Sequence, residues 1–361
     1  MLRALAALGV AAHHAQLELW WRLGLRDAVP DLTCAAAGVD LFFVISGFVM
    51  VYSSEPLFGR RDAARVFFAR RLARIVPLYW VTSGTLLAFL VVTGIDWTPY
   101  ISRAGMVASF LFLPYPRPDG SMLPLHALGW TLNYEMFFYA VFAVAILLSR
   151  RAAVIAIIAF FAAIVVLNRW LGPLPQPLAF WCDPLILEFC FGMLIALAYR
   201  AGLMLPRLAA WALIAAGIVG YGAFGLSIAN VPWRVLVWGL PAAAVVSGLT
   251  LGGNLAPRGI AGRALAALGD ASYSLYLVHP FAISAARRFL PVLVDPRAMP
   301  WLDMLLFLLV ATAAAVATYR LFERPVTKML QNGIAGVRGH ARPEPSQAAR
   351  EGDPARVPAQ P

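Results

Sequence analysis

The chain has 361 residues, 61% of them hydrophobic and 13% charged, and a formal net charge of +11. Soluble domains are about half apolar and a quarter charged, so this composition excludes an ordinary soluble protein and points to an integral membrane protein. The positive charge does not call for nucleic acid, because the arginines cluster between apolar runs, where they read as topology signals and contacts to anionic headgroups.

A helix crossing a bilayer needs about 20 largely apolar residues. Ten candidate spans follow in order, at 2–20, 35–53, 77–94, 128–149, 152–170, 180–199, 208–226, 233–252, 271–290 and 301–322. The first run carries Arg3 and His14 and lacks a small-residue cleavage site, so it reads as a retained span. A weaker patch at 101–113, bounded by Pro114 and Pro116, reads as interfacial or re-entrant. Cys34, Cys182 and Cys190 have neither metal-ligand spacing nor a disulfide framework.

The loops set the orientation. Arg60, Arg61, Arg65, Arg70, Arg71 and Arg74 lie between spans two and three, and Arg150 and Arg151 between four and five. Arg200 and Arg207 follow between six and seven, then Arg258 and Arg263 between eight and nine, and Arg324, Lys328, Arg338 and Arg342 after the last span. Positive charge thus falls on alternate loops, as expected for an even number of spans with both termini cytoplasmic. Arg287, Arg288 and Arg297 break the alternation. The expected fold is an all-α integral membrane bundle of about ten transmembrane helices over residues 1–326. Residues 327–361 turn to Pro, Ala, Gln, Glu and Arg, which cannot build a core, and are expected to form a disordered cytoplasmic tail.

Ionisable groups inside spans are costly and normally face a bundle interior or a wet cavity. Arg3 and His14 are eleven residues apart, close to three helical turns, so they project from nearly one face, roughly 16 Å apart along the axis. With the orientation above, Arg3, Arg70, Arg71 and Arg74 lie at the inner mouth. His14, Asp40 and Glu135 lie in outer halves, and Glu188 and His279 near mid-depth. This layering suits an acyl donor with a nucleotide, such as acyl-CoA, whose phosphates would meet the arginines while its slender arm ran towards His14. A neutral His14 there could deprotonate a hydroxyl or itself take the acyl group, with a carboxylate holding its tautomer.

Blander readings stand beside each residue. The arginines serve equally as anchors, and His14 as a hydrogen-bonded packing residue. Asp40 suits a cap or polar tie, and Ser46-Gly47 a close helix crossing. Trp130, Tyr134 and Tyr139 suit an interfacial belt, although Trp130 beside Glu135 also suits stacking on a sugar ring. His279 precedes Pro280, whose ring frees a backbone carbonyl that the imidazole could satisfy. Glu323 is placed to pair with an arginine of the loop after span two.

Arg3 and His14, followed by Gly38-Val39-Asp40-Leu41-Phe42-Phe43-Val44-Ile45-Ser46-Gly47-Phe48 and by Arg70-Arg71-Leu72-Ala73-Arg74-Ile75-Val76-Pro77, carry a resemblance. It continues in order through Trp130-Thr131-Leu132-Asn133-Tyr134-Glu135, Leu187-Glu188-Phe189 with Gly192, Ser272 to Pro280, and Glu323-Arg324-Pro325. Over about residues 2–326 the chain resembles membrane acyltransferase family 3, and most closely its exopolysaccharide-production branch. The resemblance implies a ten-helix core in the cytoplasmic (inner) membrane that moves acetyl from cytoplasmic acetyl-CoA to a hydroxyl of a surface or lipid-linked glycan. The family's functional pair maps to Arg3 and His14. The expected site is then His14, Asp40 and Glu135 for catalysis, Arg3, Arg70, Arg71 and Arg74 for the donor, and Trp130, Tyr134 and His279 for the acceptor, with no metal.

Membrane lipids, the glycan and the polysaccharide assembly machinery are the expected partners. Family chains carry several residues before the arginine, whereas two precede Arg3. His13 points about 100° away from His14 on the helix, and the family spacing favours His14. The rivals are a glycolipid transporter or flippase, for which paired repeats with broken helices are not evident, and a non-enzymatic carrier that hands acyl groups to another enzyme.

Overall fold

The computed structural model describes residues 1–172, 174–224, 234–253, 255, 259–290 and 295–339. Arg258 and Arg342 lie outside the described residues, as does the tail from 340 onward. The α-helices are α1 (Leu2–Leu17), α2 (Gly38–Ser53), α3 (Ala63–Thr93), α4 (Arg103–Phe110), α5 (Trp130–Ala145), α6 (Arg150–Trp170) and α7 (Leu178–Trp181). They continue with α8 (Leu187–Arg200), α9 (Arg207–Phe224), α10 (Leu240–Leu251), α11 (Gly259–Asp270), α12 (Ser272–Phe289), α13 (Pro300–Thr318) and α14 (Arg324–Gly339). No strand occurs among the described residues. Four helical segments there are long and apolar enough to cross a membrane: Thr33–Ser53, Ala63–Thr93, Arg150–Trp170 and Pro300–Ile334.

The bundle is organised around α2, which packs along α8 on one side and against α1 on the other. The approach depends on missing side chains. A Cβ at Gly47 would overlap the Phe189 backbone, a Cβ at Gly192 would overlap the Val44 carbonyl, and Gly38 abuts the Ala6 carbonyl. In a membrane, helices gain little from hydrophobic burial against each other, so close backbone contact between small residues is the main source of packing energy. The expectation of a close crossing at Ser46-Gly47 is met by this geometry. Around it Phe138, Phe142, Phe161 and Phe189 form a fully buried aromatic core, with Phe138 stacked on Phe189 at 4.4 Å between centroids.

Three features depart from the sequence-based expectation, in α3, α11 and α14. Span three was expected to begin at Pro77, but α3 begins at Ala63 and carries Pro77 inside it. Proline costs the helix one N–H and presses on the carbonyl four residues back, a defect that membrane helices tolerate when neighbours supply donors. The freed carbonyl is that of Ala73; close by, the Tyr273 hydroxyl of α12 donates to the Ile75 carbonyl at 2.7 Å and ties α12 to this part of α3. Arg65, Arg70, Arg71 and Arg74 therefore stand on a rigid helix and not in a loop.

Residues 101–113 yield α4, capped by Ser102 accepting from the Gly105 amide at 3.0 Å. The helix α11, ahead of α12, had no counterpart among the ten spans, because its 12 residues fall short of the roughly 20 that a span needs. Finally, the chain stays helical past the expected boundary at 326, through α14 to Gly339. Of the cations that broke the alternation of charge, Arg287 is ion-paired with Glu18 at the end of the first helical segment.

Candidate active site

Five helices converge on one pocket. Its walls carry Arg3 of α1, Ser46 of α2, Arg71 and Arg74 of α3, Glu135 and Tyr139 of α5, and Ser272 of α12. Arg71 and Arg74 are one helical turn apart, so a single face of α3 presents both. Arg3 Nε donates to Ser272 Oγ at 3.1 Å. Glu135 accepts from Ser46 Oγ at 3.0 Å and from the Tyr139 hydroxyl. Glu323, expected to pair with an arginine, accepts from Ser274 Oγ at 2.6 Å.

What is missing from this pocket matters most. Among the described residues Arg3, Arg71 and Arg74 make no ion pair, and the buried Arg71 Nε has no hydrogen-bond partner. Guanidinium N–H groups left unpaired away from water are costly. Three guanidinium groups without an ion-pair partner among the described residues, one of them with a buried N–H left over, form a site around one pocket for an anion with several acceptor oxygens, such as a phosphate. Arg70 does not line the pocket.

His14 stands farther along α1 and is partly exposed. Its Nδ1 lies 2.9 Å from the Val10 carbonyl. A carbonyl only accepts, so Nδ1 carries the proton and Nε2 keeps the lone pair. This is the tautomer a base or nucleophile requires, and a backbone carbonyl holds it where a carboxylate was expected. The ring partner of His14 is His279, with centroids 5.0 Å apart. His13 packs edge-on to His14 at 5.4 Å and is buried. Between the arginine pocket and the imidazoles stand Phe42 and Tyr276, rings 6.0 Å apart. Tyr276 is fixed by hydrogen bonds to Thr131 Oγ1 at 3.0 Å and the Leu128 carbonyl at 3.1 Å.

Asp40 belongs to a third group. It is fully buried and held by Arg234 through a bidentate pair, Nε to Oδ1 at 2.9 Å and a terminal nitrogen to Oδ2 at 2.8 Å. The Arg234 guanidinium lies over Trp238 at 4.9 Å and Trp130 at 5.6 Å, and Glu188 sits alongside, against Gly239. Trp130, expected to stack on a sugar ring, thus carries a cation on one face. Tyr134 is buried and stacks on Phe180 at 4.3 Å, a packing position. The sequence reading passed over Arg234, although a lone arginine inside a candidate span is itself a signal.

The structure therefore brings Arg3, Arg71, Arg74 and Glu135 together, pairs His14 with His279, and sets Asp40 and Trp130 around Arg234. Arginines of α1 and α3 that make no ion pair among the described residues, with a histidine of fixed tautomer farther along α1, suit transfer from an anionic donor to a hydroxyl. The sequence profile of the acyltransferase domain matches residues 1–320, and the chain belongs to that family, acyltransferase family 3.

Among its relatives, the exopolysaccharide production protein ExoZ of Rhizobium meliloti is 35% identical over 86% of this chain and 95% of its own. Acyltransferase MdmB of Streptomyces mycarofaciens is 27% identical over 80% of this chain and 79% of its own. Nodulation protein 10 of Rhizobium leguminosarum is 34% identical over a shorter stretch, 38% of this chain and 41% of its own. No solved structure matches the chain. The protein is an O-acyltransferase, so the transporter and flippase readings fall away.

Proposed function

We propose that this protein transfers an acetyl group from acetyl-CoA to a hydroxyl of an exopolysaccharide or a lipid-linked surface glycan. It would do so from the cytoplasmic (inner) membrane, as a bundle of about ten spans with both termini inside, alongside the polysaccharide assembly machinery. The kinship with an exopolysaccharide production protein supports the acceptor class. The observation that carries the reading is the set of guanidinium groups of Arg3, Arg71 and Arg74, without an ion pair among the described residues, on a pocket at one end of the helix that bears His14 at the other.

In this reading Arg3, Arg71 and Arg74 hold the donor's phosphates through charge-assisted hydrogen bonds. Glu135, fixed by Ser46 and Tyr139, holds a carboxylate on the wall of the same pocket, where it can act on the bound donor or its reacting end. His14 Nε2 takes the hydroxyl proton or the acyl group itself. Asp40 acts through Arg234, fixing α2 and Trp130 where the acceptor approaches. About 16 Å of rise separates Arg3 from His14, so the donor arm would cross much of the bilayer and the acceptor would arrive from the extracytoplasmic side.

The test is to isolate the producer's surface glycan with and without this gene and to measure ester-linked acetyl. Loss of the ester in the deletion strain and its return on complementation are expected. Unchanged ester content would refute the reading. In sealed inside-out vesicles, acetyl-CoA added outside should label only glycan in the lumen.

A further inference from the structure

Three levels of contact mark the line from the arginine pocket to His14. Arg3, Ala7, Val10 and His14 follow one another at steps of four, three and four residues, so they share a face of α1. Ser272, Tyr276 and His279 share a face of α12 in the same way, at steps of four and three. At the first level Arg3 donates to Ser272 Oγ, and at the last the His14 and His279 rings meet at 5.0 Å between centroids. The two helices therefore run in the same direction, with Tyr276 midway between the arginine end and the imidazole end. His279 is 0% exposed, so it offers no face to a sugar.

The middle level is closed by aromatic rings. On α1 it carries only Ala7 and Val10, both buried, so the bulk there comes from Phe42 of α2 and Tyr276 of α12. Their rings meet edge to face, with centroids 6.0 Å apart and planes at 72°. This is direct ring contact and leaves no passage for a chain between them. Both side chains line the arginine pocket, and neither His14 nor His279 does. Beyond Tyr276 comes His279, at 6.4 Å between centroids.

A donor held by Arg3, Arg71 and Arg74 meets this closure before its acyl tip can reach His14. One ring has to move aside, and the two are not equally free. Tyr276 is buried and anchored through its hydroxyl to Thr131 Oγ1 at 3.0 Å and the Leu128 carbonyl at 3.1 Å. Phe42 has no polar anchor, is only partly buried, and packs against all three apolar clusters of the bundle. It also borders Arg3, whose guanidinium lies 6.0 Å from the ring centroid.

We infer that Phe42 is the gate between the donor pocket and His14, and that it limits the size of the acyl group that passes. The inference rests on the proposed transfer from acyl-CoA through His14. The acyl group leads the donor arm, so it is the first part to meet the gate. An acetyl group needs a small turn of the Phe42 ring. Each further methylene has to push that ring farther into a packed surround, while Tyr276 stays fixed. Phe42 touches the passing donor and takes no part in the chemistry.

The test compares acetyl-CoA, propionyl-CoA and butyryl-CoA as donors, with purified protein and isolated acceptor glycan. One methylene in a tight apolar site changes kcat/KM by about tenfold or more. Phe42→Ala should raise the ratio of butyryl to acetyl transfer by about tenfold or more, and Phe42→Leu by a smaller factor. Phe42→Trp should lower kcat for every donor by about tenfold. CoA itself is held by the arginines, so its Kd should stay within about threefold in all three variants, which also shows that each is folded.

A butyryl-to-acetyl ratio equal to that of wild type in both Phe42→Ala and Phe42→Leu, with CoA bound normally, would overturn the gate. A changed ratio that appears only with an equal loss of CoA affinity would overturn it as well, because it would mark a general loosening of the pocket. If wild type transfers no acyl group from any of these CoA esters, the donor reading falls and the gate falls with it. Acetyl transfer by wild type with an unchanged ratio in the variants removes the gate alone.

Discussion

Two arginine sites in this bundle are built in opposite ways. Arg234 is spent: Asp40 grips it with both oxygens and Trp130 and Trp238 cover it. Arg3, Arg71 and Arg74 share a pocket with Glu135 but make no ion pair among the described residues. A guanidinium with its partner already in place ties helices together. One without a partner is available to an anion brought from outside. The contrast separates a structural charge from a functional one by what each guanidinium already holds.

The comparison breaks first at the closed site. Arg234→Ala leaves Asp40 as a buried uncompensated charge, and loss of about 3–5 kcal/mol of stability is expected, read from thermal unfolding in detergent. Adding Asp40→Asn should recover a large part of it. If Arg234→Ala unfolds like wild type while donor affinity falls, the two sites would have exchanged roles.

The scaffold that carries both sites is next. At Gly192 a Cβ would overlap the Val44 carbonyl, so Gly192→Ala should cost about 1–3 kcal/mol through displacement of α8 from α2. No change in unfolding would show that the crossing has slack.

The open site should respond in affinity and not in stability. Arg71→Lys or Arg74→Lys keeps the charge but loses the planar fork, and about a tenfold rise in Kd for a non-hydrolysable CoA analogue is expected, equivalent to about 1.4 kcal/mol. Unfolding should stay at the wild-type temperature. Equal Kd values for wild type and both variants would make these residues anchors. The smallest effect belongs to the partly exposed pair of Arg287 and Glu18, where Arg287→Ala should change stability by less than about 1 kcal/mol.

Much of the fold was legible because apolar runs of span length announce themselves one at a time. The misses share a cause: each depends on what a neighbouring element supplies. Pro77 marks a helix boundary on local rules, yet α3 runs through it, held by its packing on α5 and α12. With that boundary misplaced, Arg71 and Arg74 were read as loop residues, although their spacing on a continuous helix is what aims both into the pocket.

Glu135 was placed with the outer carboxylates, and only the three-dimensional approach of α1, α3 and α5 shows it among the arginines. Arg3 and His14 were legible from their spacing on one helix. The partners of His14 and Asp40, namely His279 and Arg234, lie 265 and 194 residues away in sequence. His279 was named but given to the acceptor, and Arg234 was not named at all. Pairings across such distances leave no local trace.

The central claim is that His14, with its lone pair fixed on Nε2, performs the transfer. It is tested most directly by measuring ester-linked acetyl on surface glycan from cells that carry wild type, His14→Ala or His13→Ala at equal membrane levels. The account expects acetylation to vanish in His14→Ala and to remain largely intact in His13→Ala. Normal acetylation by a well-expressed His14→Ala protein would contradict it.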